Sequence, residues 1–154
     1  MSKLSSMNTP IFWAEGHPGK LDREQWTLEV TGACEAPHIY SWQELMQLPS
    51  TTIEGRLTSV TRWSVFGHWT GIPIADILKA VKMKDSCKFI RFWSVGLVYD
   101  TSIPLLTAQL PKSLISWAFD DELLSEDYGG PLRAFIPYLW GYKSAKSIVK
   151  MELM

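Results

Sequence analysis

Six residues near the end of the chain, GYKSAK from Gly141 to Lys146, hold two lysines three apart, a serine hydroxyl and a glycine that admits close backbone approach. Lysine meets phosphate as a point charge, serine donates a hydroxyl, and successive backbone N–H groups in a turn complete an anion nest. The same pattern suits a solvated strand edge, where lysines block edge-to-edge pairing. Arg133 in GGPLR separates the two readings, because its rigid fork could reach the same anion. Alone, GGPLR is a turn at Gly129 and Gly130, a strand opened by Pro131, and an arginine on the solvent face.

A second concentration lies at residues 59–71, SVTRWSVFGHWTG, which crowds two tryptophans, an arginine and a histidine before a glycine turn. Arg62 could present its guanidinium to an oxyanion, or stack on a tryptophan as a cation. His68, expected in a loop before Trp69, could shuttle a proton or simply face solvent. Asp120, Asp121, Glu122, Glu126 and Asp127 read as one solvated polar loop, since catalytic carboxylates need burial or a like-charged partner to tune them. The eight tryptophans are numerous enough to pack around a large planar ligand, although core or rim positions account for them equally well.

The common signatures are absent. Cys34 and Cys87 lie far apart and the three histidines lack metal-ligand spacing, so neither a disulfide framework nor a zinc site is indicated. No G-x-S-x-G, H-E-x-x-H, Walker or dinucleotide motif occurs. A net charge of −1 argues against nucleic acid or an anionic membrane as partner. No apolar run is long enough to cross a bilayer, and the start of the chain resembles neither a signal peptide nor a twin-arginine leader, so a cytoplasmic protein is the simplest expectation.

The elements that would hold these residues are mostly strands. A chain of 154 residues predicts one domain over 1–154, with residues 1–10 loose. Trp26 to Val30 alternates as a strand, and SWQELMQLP opens with a Ser41–Glu44 capping box that predicts a short helix with Trp42, Leu45 and Met46 on its apolar face. TTIEGRLTSV reads as a strand with an irregularity at Gly55. The clearest helix follows, with Pro73 in its first turn and Ile74, Ile77, Leu78 and Val81 at helical spacing. KFIRFW, LVYDTSI and SLISWAF read as strands, PLLTAQLP as a short helix, and the last third as two β-rich runs around glycine and proline turns. Irregular alternation of many strands with few helices predicts a mixed α+β domain.

Taken in order, WTLEVTG, SVTRWS…WTGIPIADIL and GGPLRAFIPYLWGYKSAKSIVKMEL resemble the oxidoreductase molybdopterin-binding domain of the sulfite oxidase family, over roughly Phe12 to Leu153 and most closely its small single-domain bacterial members. The resemblance implies an α+β fold of layered mixed sheets with short helices. It also implies a molybdenum ion on the dithiolene of one molybdopterin, whose phosphate lies in a basic pocket. On this likeness Arg133 matches a pterin-phosphate arginine, and Ser144, Ala145 and Lys146 match the segment that wraps the cofactor, with Lys143 beside it. Ser94 in FWSVG matches a small hydroxyl residue that contacts the pterin. Tyr128 stands at another contacting position but differs in type, and IFWAEG matches the segment that closes over the pterin.

Position 59 departs from the family. Its small members read CVTRWS, the cysteine thiolate being the protein ligand to molybdenum, whereas this chain reads SVTRWS. Thiolate is a soft donor; serine must lose a far less acidic proton and offers a hard alkoxide. Three readings of Ser59 follow: an active oxidoreductase with an oxygen ligand, a cofactor-binding domain with altered redox chemistry, or a replaced natural cysteine. The resemblance implies oxygen-atom transfer to or from a small substrate, with Arg62 and His68 on the substrate side and a separate electron-transfer partner, since no haem motif is present. A non-catalytic binding module that keeps the scaffold is the alternative.

Overall fold

The computed structural model describes residues 16–60 and 63–154. In chain order the elements are β1 (Thr27–Gly32), β2 (His38–Ser41), α1 (Trp42–Gln47), β3 (Thr51–Thr58), β4 (Ser64–Pro73), α2 (Ile74–Ala80), β5 (Phe89–Ser94) and β6 (Asp100–Pro104). They continue with α3 (Leu105–Ala108), β7 (Leu114–Phe119), β8 (Glu122–Leu123), β9 (Arg133–Phe135) and β10 (Ile148–Leu153). Short 3-10 turns cover Val95–Leu97, Glu126–Tyr128 and Gly141–Lys143. The strands form two sheets, a mixed one ordered β2-β1-β10-β5-β6 and an antiparallel one ordered β3-β4-β7-β8 with β9 added to β7. β1 and β10 run parallel although they come from opposite ends of the described chain.

β7 explains how the sheets share a core. LISWAF is buried at every position, the mark of a strand covered on both faces. Its register with β4 slips after Thr70↔Ala118 to Gly71↔Ser116, which leaves Trp117 as an extra residue. That bulge breaks the alternation, so Leu114 and Phe119 face one apolar cluster while Ile115, Trp117 and Ala118 face the other. The larger cluster joins α2 to the first sheet through Ile74, Ile77, Leu78, Leu28, Ile90 and Met151.

The expected helices form where their signals lie, with small differences. Ser41 and Glu44 make both arms of the capping box at the start of α1. Leu45 alone of the predicted face is buried, because a six-residue helix makes less than two turns and Met46 is left at the surface. Pro73 ends β4 and caps α2 from outside the first turn, while Ile74, Ile77, Leu78 and Val81 bury as the spacing requires.

Two expectations about β3 and β4 need correcting. The segment expected as a loop before Trp69 is a ten-residue strand, so His68 sits in regular sheet. Gly55 causes no break either: β3 and β4 pair without a slip from Thr51 to Thr58, and Gly55 stands opposite Gly67. The paired glycines make room for aromatic rings. A Cβ on Gly55 would lie 2.7 Å from the Phe135 ring, and one on Gly67 would enter the Phe119 ring and come within 2.9 Å of Asp120 Oδ1. Trp69 fills the space between, stacked on Phe135 at 4.4 Å and edge-on to Phe119 at 4.9 Å. Gly67→Ala is therefore expected to destabilise by about 1–3 kcal/mol through overpacking. Chemical unfolding of the variant would measure the loss, and an unchanged midpoint would mean that the rings relax without cost.

Candidate functional site

Arg133 opens β9 and is 3% exposed. Its guanidinium donates to three backbone carbonyls: Nε to Ala134 at 3.1 Å, Nη1 to Tyr128 at 3.0 Å and Nη2 to Ser144 at 3.0 Å. The same group lies 5.7 Å from the centre of the Trp69 ring. No carboxylate among the described residues pairs with it. Burial alone pushes its pKa down to about 10, so it remains a buried cation at neutral pH. Backbone carbonyls orient the charge without cancelling it, which leaves it available to an anion.

Lys146 is the second cation of the pocket. Burial first, and then the charge of Arg133, bring its pKa down to about 8. The two side chains meet over Gly129, whose φ of +93° ends the Glu126–Tyr128 turn in the left-handed region. Main-chain bonds hold the segments that carry the two cations together. Ser147 N donates to the Gly129 carbonyl at 2.8 Å, Ala134 N to the Ala145 carbonyl at 2.9 Å, and Ile148 N to the Leu132 carbonyl at 2.9 Å.

Ser94 reaches the same region from β5. It stands opposite Ile148, beside a slip in the β5–β10 register that leaves Val149 as an extra residue. Bulges of this kind re-aim side chains near sites. Ser94 is 2% exposed, and its Oγ has no hydrogen-bond partner. A buried hydroxyl without a partner costs about 1–3 kcal/mol, so its retention points to a ligand atom as the missing partner. Ser94→Ala should leave the ligand-free protein as stable or slightly more stable while weakening ligand binding. A fall in the stability of the ligand-free protein would show that the hydroxyl already has a partner.

The other predicted residues distribute unevenly. Ser144 Oγ accepts the Ile136 N–H at 2.8 Å and its carbonyl holds Arg133, so this serine builds the cradle from behind. Ala145 is buried in the larger core. Lys143 turns the other way, its Nζ donating to the Ser102 carbonyl at 3.0 Å, so only Lys146 of the two lysines shares the pocket with Arg133. Ser59 leaves β3 and its N–H donates to the Trp63 carbonyl at 2.9 Å. It comes close to the cradle segment, because Thr58 bridges Trp140 and a Cβ on Gly141 would lie 3.9 Å from the Ser59 Cα.

His68 stands apart. It neighbours Trp69 on β4 and so faces the opposite side of the strand, exposed, with Glu54 Oε1 at 3.4 Å and Asp120 Oδ1 at 3.5 Å. Arg62 and most of IFWAEG lie outside the described residues, as do residues 1–10. Sequence reasoning missed Gly129 as part of the pocket, taking it only for a turn residue. It also missed exposed apolar side chains near Ser59: Val60 follows it, and Trp140 and Tyr142 flank Gly141.

A buried arginine, a half-buried lysine beside it, a buried hydroxyl without a hydrogen-bond partner and a turn glycine have the chemistry that suits a phosphate-bearing organic group. A family model described as the oxidoreductase molybdopterin binding domain matches residues 14–154, and the chain belongs to that family. It is 28% identical over 153 residues to the catalytic subunit of a protein-methionine-sulfoxide reductase from Ralstonia nicotianae, covering 90% of this chain and 46% of that protein. It is 29% identical to a putative protein-methionine-sulfoxide reductase subunit of Azospira oryzae, covering 89% and 52%. The chain thus spans about half the length of these curated relatives. The fold is similar to part of a chain of the sulfane dehydrogenase SoxCD from Paracoccus pantotrophus, with a TM-score of 0.81 at 16% identity over 87% of this chain and 39% of that one.

The residues fit the phosphate end of a molybdopterin: two cations, an available hydroxyl and a turn without a side chain. At the position where the family likeness sets the metal ligand this chain has a serine, which would offer an oxygen, and no group of three or more His, Cys, Asp or Glu among the described residues could hold a metal ion.

Proposed function

We propose that this domain binds one molybdopterin and, with its metal, carries out oxygen-atom transfer, in the direction that reduces a sulfoxide to a thioether. The observation that carries the cofactor reading is Arg133, a fully buried cation held by three carbonyls with no described carboxylate against it. Arg133 and Lys146 would hold the phosphate, Ser94 would donate to the pterin, and the metal would supply two-electron redox chemistry at the Ser59 end. Balance requires two electrons and two protons for each sulfoxide, released as thioether and water, so a separate electron donor is part of the proposal.

Two observations support a sulfoxide over a charged oxyanion such as sulfite. The relatives are named as protein-methionine-sulfoxide reductases. Among the described residues near Ser59, Val60, Trp140 and Tyr142 are exposed apolar side chains, which favours an uncharged side chain of a polypeptide over a dianion. Cytoplasmic residence and a small-molecule substrate stay within the proposal as alternatives for direct assay.

Oxygen at position 59 favours a second reading, in which the domain binds the pterin without turnover. Protein made in a molybdopterin-producing host separates the two. Molybdenum and pterin near one per chain, with activity on methionine sulfoxide, support the first; pterin without metal or turnover supports the second. Absence of both molybdenum and pterin would sink the cofactor reading altogether.

Affinity for a phosphate monoester should depend on pH in a definite sense. The dianion forms above about pH 6, and Lys146 loses its proton as pH rises through about 8. Binding is therefore strongest between these limits and falls on the alkaline side. A bound anion raises the lysine pKa, so the alkaline limb of the complex lies above 8. A glycerol phosphate titration from pH 5 to 10 checks this; a flat alkaline limb would remove Lys146 from the site.

A further inference from the structure

We propose that Gly129 is a positioning residue for the anion pocket: the missing Cβ lets the Lys146 side chain run against Arg133, so that a cation from β9 and one from the bend before β10 converge on one anion. The inference rests on the anion-cradle reading above and deepens it. Its basis is local geometry. A Cβ on Gly129 would stand 2.9 Å from Lys146 Cγ, 3.1 Å from Lys146 Cβ and 3.3 Å from Arg133 Cδ.

The near ends of the side chains are what it would strike. Cβ and Cγ of Lys146 follow the backbone, which is held by the Ser147 N–H to the Gly129 carbonyl and the Ala134 N–H to the Ala145 carbonyl. Arg133 cannot retreat without breaking its bonds to Tyr128 and Ser144. Lysine is therefore the group that gives way, and it swings away from the guanidinium. Two like charges repel, so they come together only where packing compels it and a ligand repays it.

A plain turn glycine would explain the positive φ and nothing more. The two roles separate experimentally, because asparagine tolerates left-handed backbone yet carries a Cβ. Gly129→Asn and Gly129→Ala are each made alone and with Lys146→Ala, and glycerol phosphate affinity is measured for all, together with the titration of the Lys146 ammonium by NMR in the single variants.

Both Gly129 variants are expected to weaken binding about tenfold, the loss of one charge-assisted contact, and to raise the Lys146 pKa from about 8 toward its ordinary value. With Lys146→Ala already present, the same substitutions should change affinity less than about twofold, since the displaced cation is gone. Equal losses in both backgrounds, or an unmoved Lys146 titration, would overturn the inference. If the natural sequence binds no glycerol phosphate at all, the cradle reading fails by itself, and the Lys146 titration still decides whether Gly129 positions that lysine.

Discussion

Arg133→Lys is expected to destabilise the protein by about 2–4 kcal/mol and to reduce phosphate affinity at least a hundredfold, although the charge is kept. Arginine serves the Ala134, Tyr128 and Ser144 carbonyls from three nitrogens of one rigid plane. A lysine ammonium is a compact point charge that cannot span all three, so at least two buried carbonyls lose their donor at about 1–3 kcal/mol each. The remaining guanidinium N–H groups that would meet an anion as a fork are lost too. Urea unfolding and glycerol phosphate titration of the folded variant measure the two effects. Retention of both stability and affinity would mean that Arg133 contributes only its charge.

Ser59→Cys has the second large effect, on metal retention. Groups that merely support a metal ligand change affinity by roughly 10–100-fold, and exchange of the ligand atom should do no less. A thiolate is the softer and more readily ionised donor, and Ser59 lies against the segment that leads to the cradle. Molybdenum per chain is thus expected to rise at least tenfold in the cysteine variant when pterin loading is equal. An unchanged ratio would place the metal beyond reach of position 59. The pterin content is the control, because Arg133 and Lys146 are untouched by the substitution.

Much of the fold was legible because its signals are local. The capping box at Ser41 and Glu44 and the apolar spacing of α2 depend on residues within one or two turns, and both helices form there. The β4 expectation failed because SVFGHWTG mixes glycine and polar residues in turn-like fashion. Its strand character comes from pairing with β3 and β7 and from Phe119 and Phe135, which fill the space its glycines leave. The LISWAF run was read correctly as a strand, yet the bulge at Trp117 that divides its side chains between two cores comes from the register with β4.

The candidate site divides in the same way. Arg133, Ser94, Ser144 and Lys146 were singled out from residue type and family likeness. The placement of His68 on the far face and of Lys143 against β6 was not, since alternation along a strand and the sense of a 3-10 turn decide which way a side chain points.

By itself the sequence determined the family, the α+β class, the basic character of the last third and the serine at position 59, because these are matters of residue identity and order. Only the tertiary structure decided which of two neighbouring lysines joins Arg133, that the arginine is held by carbonyls and faces no described carboxylate, that Ser94 keeps a hydroxyl without a partner, and that Gly129 leaves the gap between the cations. Each of these depends on distances between segments far apart in the chain. Such distances are set by sheet register and burial, which no single segment contains.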